Sequence, residues 1–153
     1  MRSVFAFPVG KRAETIALLD QHFPPLDRHP PLQTHQWVVN GALYIEIDDE
    51  QSGSLYGDWE PEAVAALVEV TGERPDWALQ IDISSRVDGT DEVHQILALM
   101  LDRGGVAFDD YTDHAWTLQE IQAGASVDGL RFFDFRTAHQ RDHGPGQGHC
   151  VLG

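Results

Sequence analysis

The spacing of apolar residues along the chain predicts an α+β fold in which an antiparallel sheet carries its helices on one face. Short stretches rich in Val, Ile, Phe and Trp alternate along the chain with stretches of three- and four-residue apolar spacing, the periodicities of strand and helix. An Asn-Gly pair at Asn40-Gly41 joins two of the strand-like stretches as a hairpin. The first six elements read strand, helix, strand, strand, helix, strand. This is the βαββαβ order of the ferredoxin-like fold, and an extra α-β-α-β extension follows it.

Taken in order, residues 3–7 form a short strand broken by Pro8 and Gly10. Ile16, Leu19 and Phe23 give the next stretch, 11–23, one apolar helical face. Lys11 and Arg12 at its start oppose the helix dipole, and would suit an anion held by the free N–H groups of the first turn. Pro24, Pro25, Pro30 and Pro31 stiffen the following connection. After the hairpin, residues 48–60 are polar and long enough for a functional loop. Pro61 opens a helix that Gly72 ends, and Trp77, Leu79, Ile81 and Ile83 alternate as a strand.

Beyond that unit, Thr90 caps a helix with Val93, Ile96, Leu97, Met100 and Leu101 at one-face spacing, and Gly104 stops it. Residues 106–108 restart as a strand. Thr117 and Glu120 match a capping box at the head of a short helix ended by Gly124. Residues 130–136 read as a last aromatic strand. The length suits one domain, so residues 1–136 are expected to form it, with 137–153 as a glycine- and histidine-rich tail.

A two-residue type I′ turn at Asn40-Gly41 sets a register for the hairpin. Val39 then faces Ala42, Trp37 faces Tyr44, and His35 faces Glu46 on one side. Val38, Leu43, Ile45 and Ile47 lie on the other, which is the better core side. An aromatic pair beside a His–Glu pair makes the first side a recognition surface, or a contact for a homodimer, unless another element covers it.

Twenty-five Asp and Glu oppose 10 Lys and Arg, a formal charge of -15. Such a charge repels phosphate backbones and anionic lipid heads, so neither nucleic acid nor membrane is an expected partner, whereas a basic protein is. Apolar runs fall well short of the ~20 residues that span a bilayer. The single cysteine, Cys150, has no internal disulfide partner. These features point to the cytoplasm, and the preference for arginine over lysine fits a bacterial chain of high GC content.

The densest concentration of function-like residues is the loop from Asp109 to Trp116. Asp109-Asp110-Tyr111-Thr112-Asp113 matches the letters of the Asp-Asp-x-x-Asp magnesium motif of prenyl transferases and terpene cyclases. There the motif lies on a helix of a large all-helical enzyme; here it follows a strand, so that chemistry does not carry over. Asp109, Asp110, Asp113 and His114, with Trp116 behind them, remain a strand-end cluster suited to a cation or a positively charged partner. The alternative is that Asp110 and Asp113 cap turns while Tyr111 and Trp116 pack. His139, His143, His149 and Cys150 carry zinc-type donors, without a scaffold to hold them. No nucleophile elbow surrounds Ser84-Ser85, and no cofactor is expected.

Residues 77–84, the helix after them and residues 105–121 resemble a pattern in small uncharacterised bacterial α/β proteins, some of the toxin-immunity type. That resemblance implies a small cytosolic binding protein and assigns no catalytic residue. The leading expectation is an acidic, non-enzymatic domain that binds a basic protein through the Asp109 to Trp116 loop and the Trp37 and Tyr44 face. The alternative is a small metal-dependent or acid–base enzyme, in which Asp109, Asp113 and His114 converge with His35 or Asp82.

Overall fold

A computed structural model describes residues 2–23, 36–49, 55–57 and 59–142. Eight strands and five helices occur among them: β1 (Arg2–Pro8), α1 (Arg12–His22), β2 (Gln36–Val39), β3 (Leu43–Asp49), α2 (Pro61–Thr71), β4 (Trp77–Ile83), α3 (Thr90–Met100), β5 (Gly105–Phe108), β6 (Trp116–Thr117), α4 (Leu118–Ala123), β7 (Ser126–Val127), β8 (Leu130–Arg131) and α5 (Phe135–Asp142). Six strands form one sheet in the order β2-β3-β4-β1-β5-β6, and β7 and β8 form a separate ribbon.

The α+β class and the antiparallel sheet hold, but the strand order is not ferredoxin-like. That fold places the first strand between the third and fourth, parallel to the third. In this sheet β4 lies between β3 and β1 and runs antiparallel to both. Strand directions are the same in the two arrangements, so the order of elements cannot tell them apart. β5 supplies the second antiparallel neighbour of β1, pairing Phe5 with Phe108 and Phe7 with Val106. Gly105 makes that approach feasible, because a Cβ there would come within 2.3 Å of the Phe7 carbonyl oxygen.

The helices also cover both faces rather than one. α1, α3 and α4 bury Leu19, Ile96, Leu97 and Ile121 against Val4, Ala6, Ile45, Ile81 and their neighbours. On the opposite face, α2 and the turn before it bury Ala63, Leu67 and Leu55 against Phe7, Ala78, Val106 and Phe108. The cause is visible in β1, where Val4 and Ala6 serve one core while Phe5 and Phe7 serve the other. A strand apolar on both faces needs cover on both. Trp59 anchors the second layer, with its ring 5.3 Å from Phe5, 5.7 Å from Phe7 and 5.0 Å from Phe108.

The hairpin keeps its turn and changes its register. Asn40 and Gly41 both have positive φ, 53° and 68°, and the Ala42 N–H donates to the Val39 carbonyl at 3.1 Å, as a type I′ turn requires. The ladder resumes one residue late, with Val39 opposite Leu43, Trp37 opposite Ile45 and Gln36 opposite Glu46. Ala42 is thus an extra residue, in the manner of a bulge, and gives its carbonyl to the Ser84 N–H. The slip turns Trp37 inward. Burial of that indole outweighs the regular two-residue closure.

The C-terminal part departs from expectation as well. Only Leu130 and Arg131 of the expected last strand are extended; a turn follows, with Phe133 at φ 57°, and then α5. α3 starts on Gly89 as its cap, with Thr90 as the first helical residue, its N–H bonded to the Asp88 carboxylate. At the head of α1 the Glu14 carboxylate accepts the Lys11 backbone N–H at 2.8 Å, and the Arg12 guanidinium lies 3.4 Å from Asp49.

Candidate functional site

Residues of β2, β3, β4 and β1 that alternate with the first core point to the opposite face. α2 covers that face only over β1, β5 and the near end of β4. Among the described residues the remainder is polar apart from Val38 and Tyr44. Gln36 donates to Glu46 at 2.7 Å, Gln80 to Asp82 at 2.8 Å, and the Ser3 hydroxyl to the same Asp82 oxygen at 2.8 Å. At the border the Ser3 N–H donates to Asp110 at 2.9 Å. Glu46, Asp48, Asp82 and Asp110 therefore share one face, with Tyr44 exposed beside them.

Mutual repulsion is evident there. Burial first, and then the charges of Glu46, Asp82 and Asp49, push the Asp48 carboxyl up to about 6. Asp110 is likewise raised, by burial foremost and by Asp82, against the opposing bond from Ser3. Among the described residues no Lys, Arg or His forms an ion pair with Glu46, Asp48, Asp82 or Asp110.

The loop after β5 is built mainly for architecture. Asp109 is buried: one carboxylate oxygen accepts the N–H groups of Tyr111 and Thr112, each at 3.1 Å, and the other accepts the Phe133 N–H at 2.7 Å. Burial raises its pKa, opposed by those three bonds. Trp116 is also buried and donates its indole N–H to the Thr112 hydroxyl at 3.1 Å. The His114 ring stands edge-on to Trp116, with Nε2 3.1 Å from both Glu120 oxygens. Burial pushes the Glu120 carboxyl up, but the bond from Thr117 and the contact with His114 outweigh it and hold the group below its ordinary value. The expected capping box is in place: Glu120 N–H donates to the Thr117 hydroxyl at 3.2 Å and Thr117 N–H to the Glu120 carboxylate at 3.0 Å.

Between this loop and the start of α2 lies a cleft of about 470 Å³. Its floor includes Ser3, Phe5 and Gln80; Trp59 and Glu60 stand on one side, and Asp110, Tyr111 and Asp113 on the other. Because Ser3, Gln80 and Asp110 belong to both, the cleft opens directly onto the acidic sheet face. A larger depression of about 1320 Å³ lies elsewhere, around Pro8, Val70, Gly104 and Gln122. Its charged residues are of both signs, with Arg103 beside Glu73, Asp76 and Asp102, whereas those of the smaller cleft are all acidic, and the smaller cleft alone joins the acidic sheet face.

No family model matches the chain, and comparison with curated proteins and with solved structures found no match.

The expected site residues thus separate. Trp37 is in the core, 1% exposed, with its indole N–H on Asp20, whereas Tyr44 is 39% exposed on the other face. The hairpin side on which a homodimer contact was expected carries Gln36, Val38, Tyr44 and Glu46. His35 lies outside the described residues, as do His143, His149 and Cys150 of the tail. Asp109 and Trp116 are turned inward and His114 is committed to Glu120. Asp110 and Asp113 line the cleft. Among the described residues no three His, Cys, Asp or Glu side chains are arranged to hold a metal ion. Asp48, Gln80, Trp59 and Glu60 belong to the acidic face or the cleft without having been among the site residues expected of the sequence, and Asp82, expected there only for an enzyme, lies on the acidic face. Asp82 and Gln80 were legible as the polar side of an alternating strand, whereas Trp59 and Glu60 come from a stretch without periodicity.

Proposed function

We propose that this chain is a binding domain for a cationic protein, of the kind that neutralises a basic partner, and that the open sheet face is its contact surface. The observation that carries this reading is the placement of Glu46, Asp48 and Asp82 on the adjacent strands β3 and β4, with Asp110 of the loop after β5 at their border, in a chain with charge -15. The charges of Glu46 and Asp82 raise the proton affinity of Asp48, and that of Asp82 raises Asp110, a repulsion that an incoming cationic surface relieves. Complementary fields of this sort also steer encounter and disfavour anionic competitors. Tyr44 supplies an exposed aromatic of the type enriched in protein contacts.

The test is calorimetric titration with a hexa-arginine peptide at low and high salt. Binding should weaken as salt rises, and Glu46→Gln/Asp82→Asn should lose affinity. Glu69→Gln/Glu73→Gln on and just beyond α2 removes the same charge elsewhere and should retain it. Equal losses in both double variants would show only general charge attraction, and no binding at low salt would remove the reading.

A further inference from the structure

We infer that the cleft between the start of α2 and the Asp110 to Asp113 loop receives the guanidinium of an arginine side chain from the partner polypeptide. This rests on the reading of the sheet face as a contact surface for a cationic protein, and gives that surface an anchor. The feature that carries it is the cavity itself. At about 470 Å³ it falls within the roughly 300–1,000 Å³ of ordinary ligand clefts, far larger than a site for a bare ion.

Its lining selects the occupant. Phe5 and Trp59 present aromatic surface, while Glu60, Asp110 and Asp113 supply negative charge. Phe5 and Trp59 meet edge to face at 5.3 Å and stay fixed by the second core, so they form a rigid wall. An anion would meet repulsion, and a neutral apolar ligand would leave carboxylates facing it. A bare metal ion would need several donors converging on one point, and that arrangement is absent among the described residues. A planar, weakly hydrated cation suits both parts of the lining, since guanidinium stacks on aromatic rings and donates in a fork to carboxylates. An ammonium is more strongly hydrated and matches the carboxylates alone.

Placement argues for a side chain of a bound polypeptide. Asp110 accepts the Ser3 N–H with one oxygen and stands where cleft and sheet face meet. A chain lying on that face can therefore insert one residue without leaving it.

The experiment is a two-dimensional NMR titration that follows the Trp59 indole N–H and the amides of residues 109–113, using N-acetyl-arginine amide, its lysine counterpart and the neutral isostere N-acetyl-citrulline amide. The arginine compound should give saturable shifts confined to the cleft, the lysine compound weaker ones, and the citrulline compound none. Asp110→Asn/Asp113→Asn should weaken arginine binding at least about tenfold, the loss expected when about 1.4 kcal/mol of attraction is removed. Asparagine can still accept the Ser3 N–H; should the double variant nevertheless fail to fold, Glu60→Gln and the three-ligand series decide the question. Equal shifts with citrulline, or arginine shifts located outside the cleft, overturn the inference. If hexa-arginine still binds the sheet face in that case, the proposed function survives and only the anchor falls. If hexa-arginine fails as well, both fall.

Discussion

Trp37 fills the first core and Tyr44 borders solvent, although they stand seven positions apart across one short hairpin. Truncating the two should therefore have unequal costs. Trp37→Ala is expected to lower the unfolding free energy by about 3–5 kcal/mol, and Tyr44→Ala by less than about 1 kcal/mol, in urea denaturation. Equal losses would place both rings on one side. Asp48 offers a second test at this scale. Folded, it keeps its proton up to about pH 6, whereas its ordinary value is 3.8. Between those values the folded state binds more protons than the unfolded one, so stability falls as pH rises through the window. Asp48→Asn should accordingly stabilise the protein at neutral pH, by about 1 kcal/mol once solvent screening of this half-buried group is allowed for, and should have no such effect below pH 3.8. His94 has the opposite sign. Its Nε2 is buried without a hydrogen-bond partner among the described residues, and burial holds its pKa below 6.5 despite the charge of Asp91. Its contribution is complete above 6.5 and declines as pH falls below it, so the loss of stability on acidification should be smaller in His94→Leu.

At the scale of elements, Asp109 joins pieces of chain that share no ladder, the end of β5 and the turn before α5. Asp109→Asn keeps an oxygen for the Tyr111 and Thr112 N–H groups and turns an NH2 group toward the Phe133 N–H, donor against donor. Because that bond is buried, the expected cost is about 1–3 kcal/mol. Hydrogen exchange should be faster at Phe133 and through α5, with the amides of β3 and β4 unchanged; uniform acceleration would show that Asp109 is no local tie. Local signals made several elements legible. Pro61 and Gly72 bound α2, and Thr117 with Glu120 starts α4, because caps and glycines act within a turn of their own position. Turn chemistry at Asn40-Gly41 was equally readable. The register beyond it was not, since the extra residue Ala42 is selected by the distant packing of Trp37 on the sheet. For the same reason the aromatic run from Leu130 looked like a strand: its rings are buried, but from a turn that Asp109 holds in place from afar.

For the whole molecule, the α+β class followed from periodicity, whereas strand order and the side taken by each helix depended on which strands meet. One clue to the second was present in β1, whose Val-Phe-Ala-Phe run is apolar on both faces and so implies two layers of cover. Within the candidate site, the Asp109 to Trp116 loop drew attention through its density of carboxylates, yet Asp109, which also borders the cleft, spends both carboxylate oxygens on backbone N–H groups, leaving Asp110 and Asp113 as the carboxylates that face it. Net charge governs behaviour at this scale too. With -15 spread over a chain of this size, self-repulsion opposes compactness, and moderate salt should raise the thermal midpoint. Adding salt at neutral pH and following unfolding by circular dichroism checks this; a midpoint indifferent to salt would mean that the carboxylates are already neutralised.

The central position of β1 also bears on how the chain reaches this structure. Phe5 pairs with Gln80 on one side and with Phe108 on the other, so β1 has no partner near it in the sequence. Topologies dominated by such distant pairings close slowly, since long loops must be ordered before their contacts form. A nascent chain halted before Gly105 would hold one edge of β1 open, exposing Phe5 and Phe7 to other chains. Arrested-translation fragments ending at residue 104 should therefore aggregate or recruit chaperones, while fragments extending past Ala123 should resist protease.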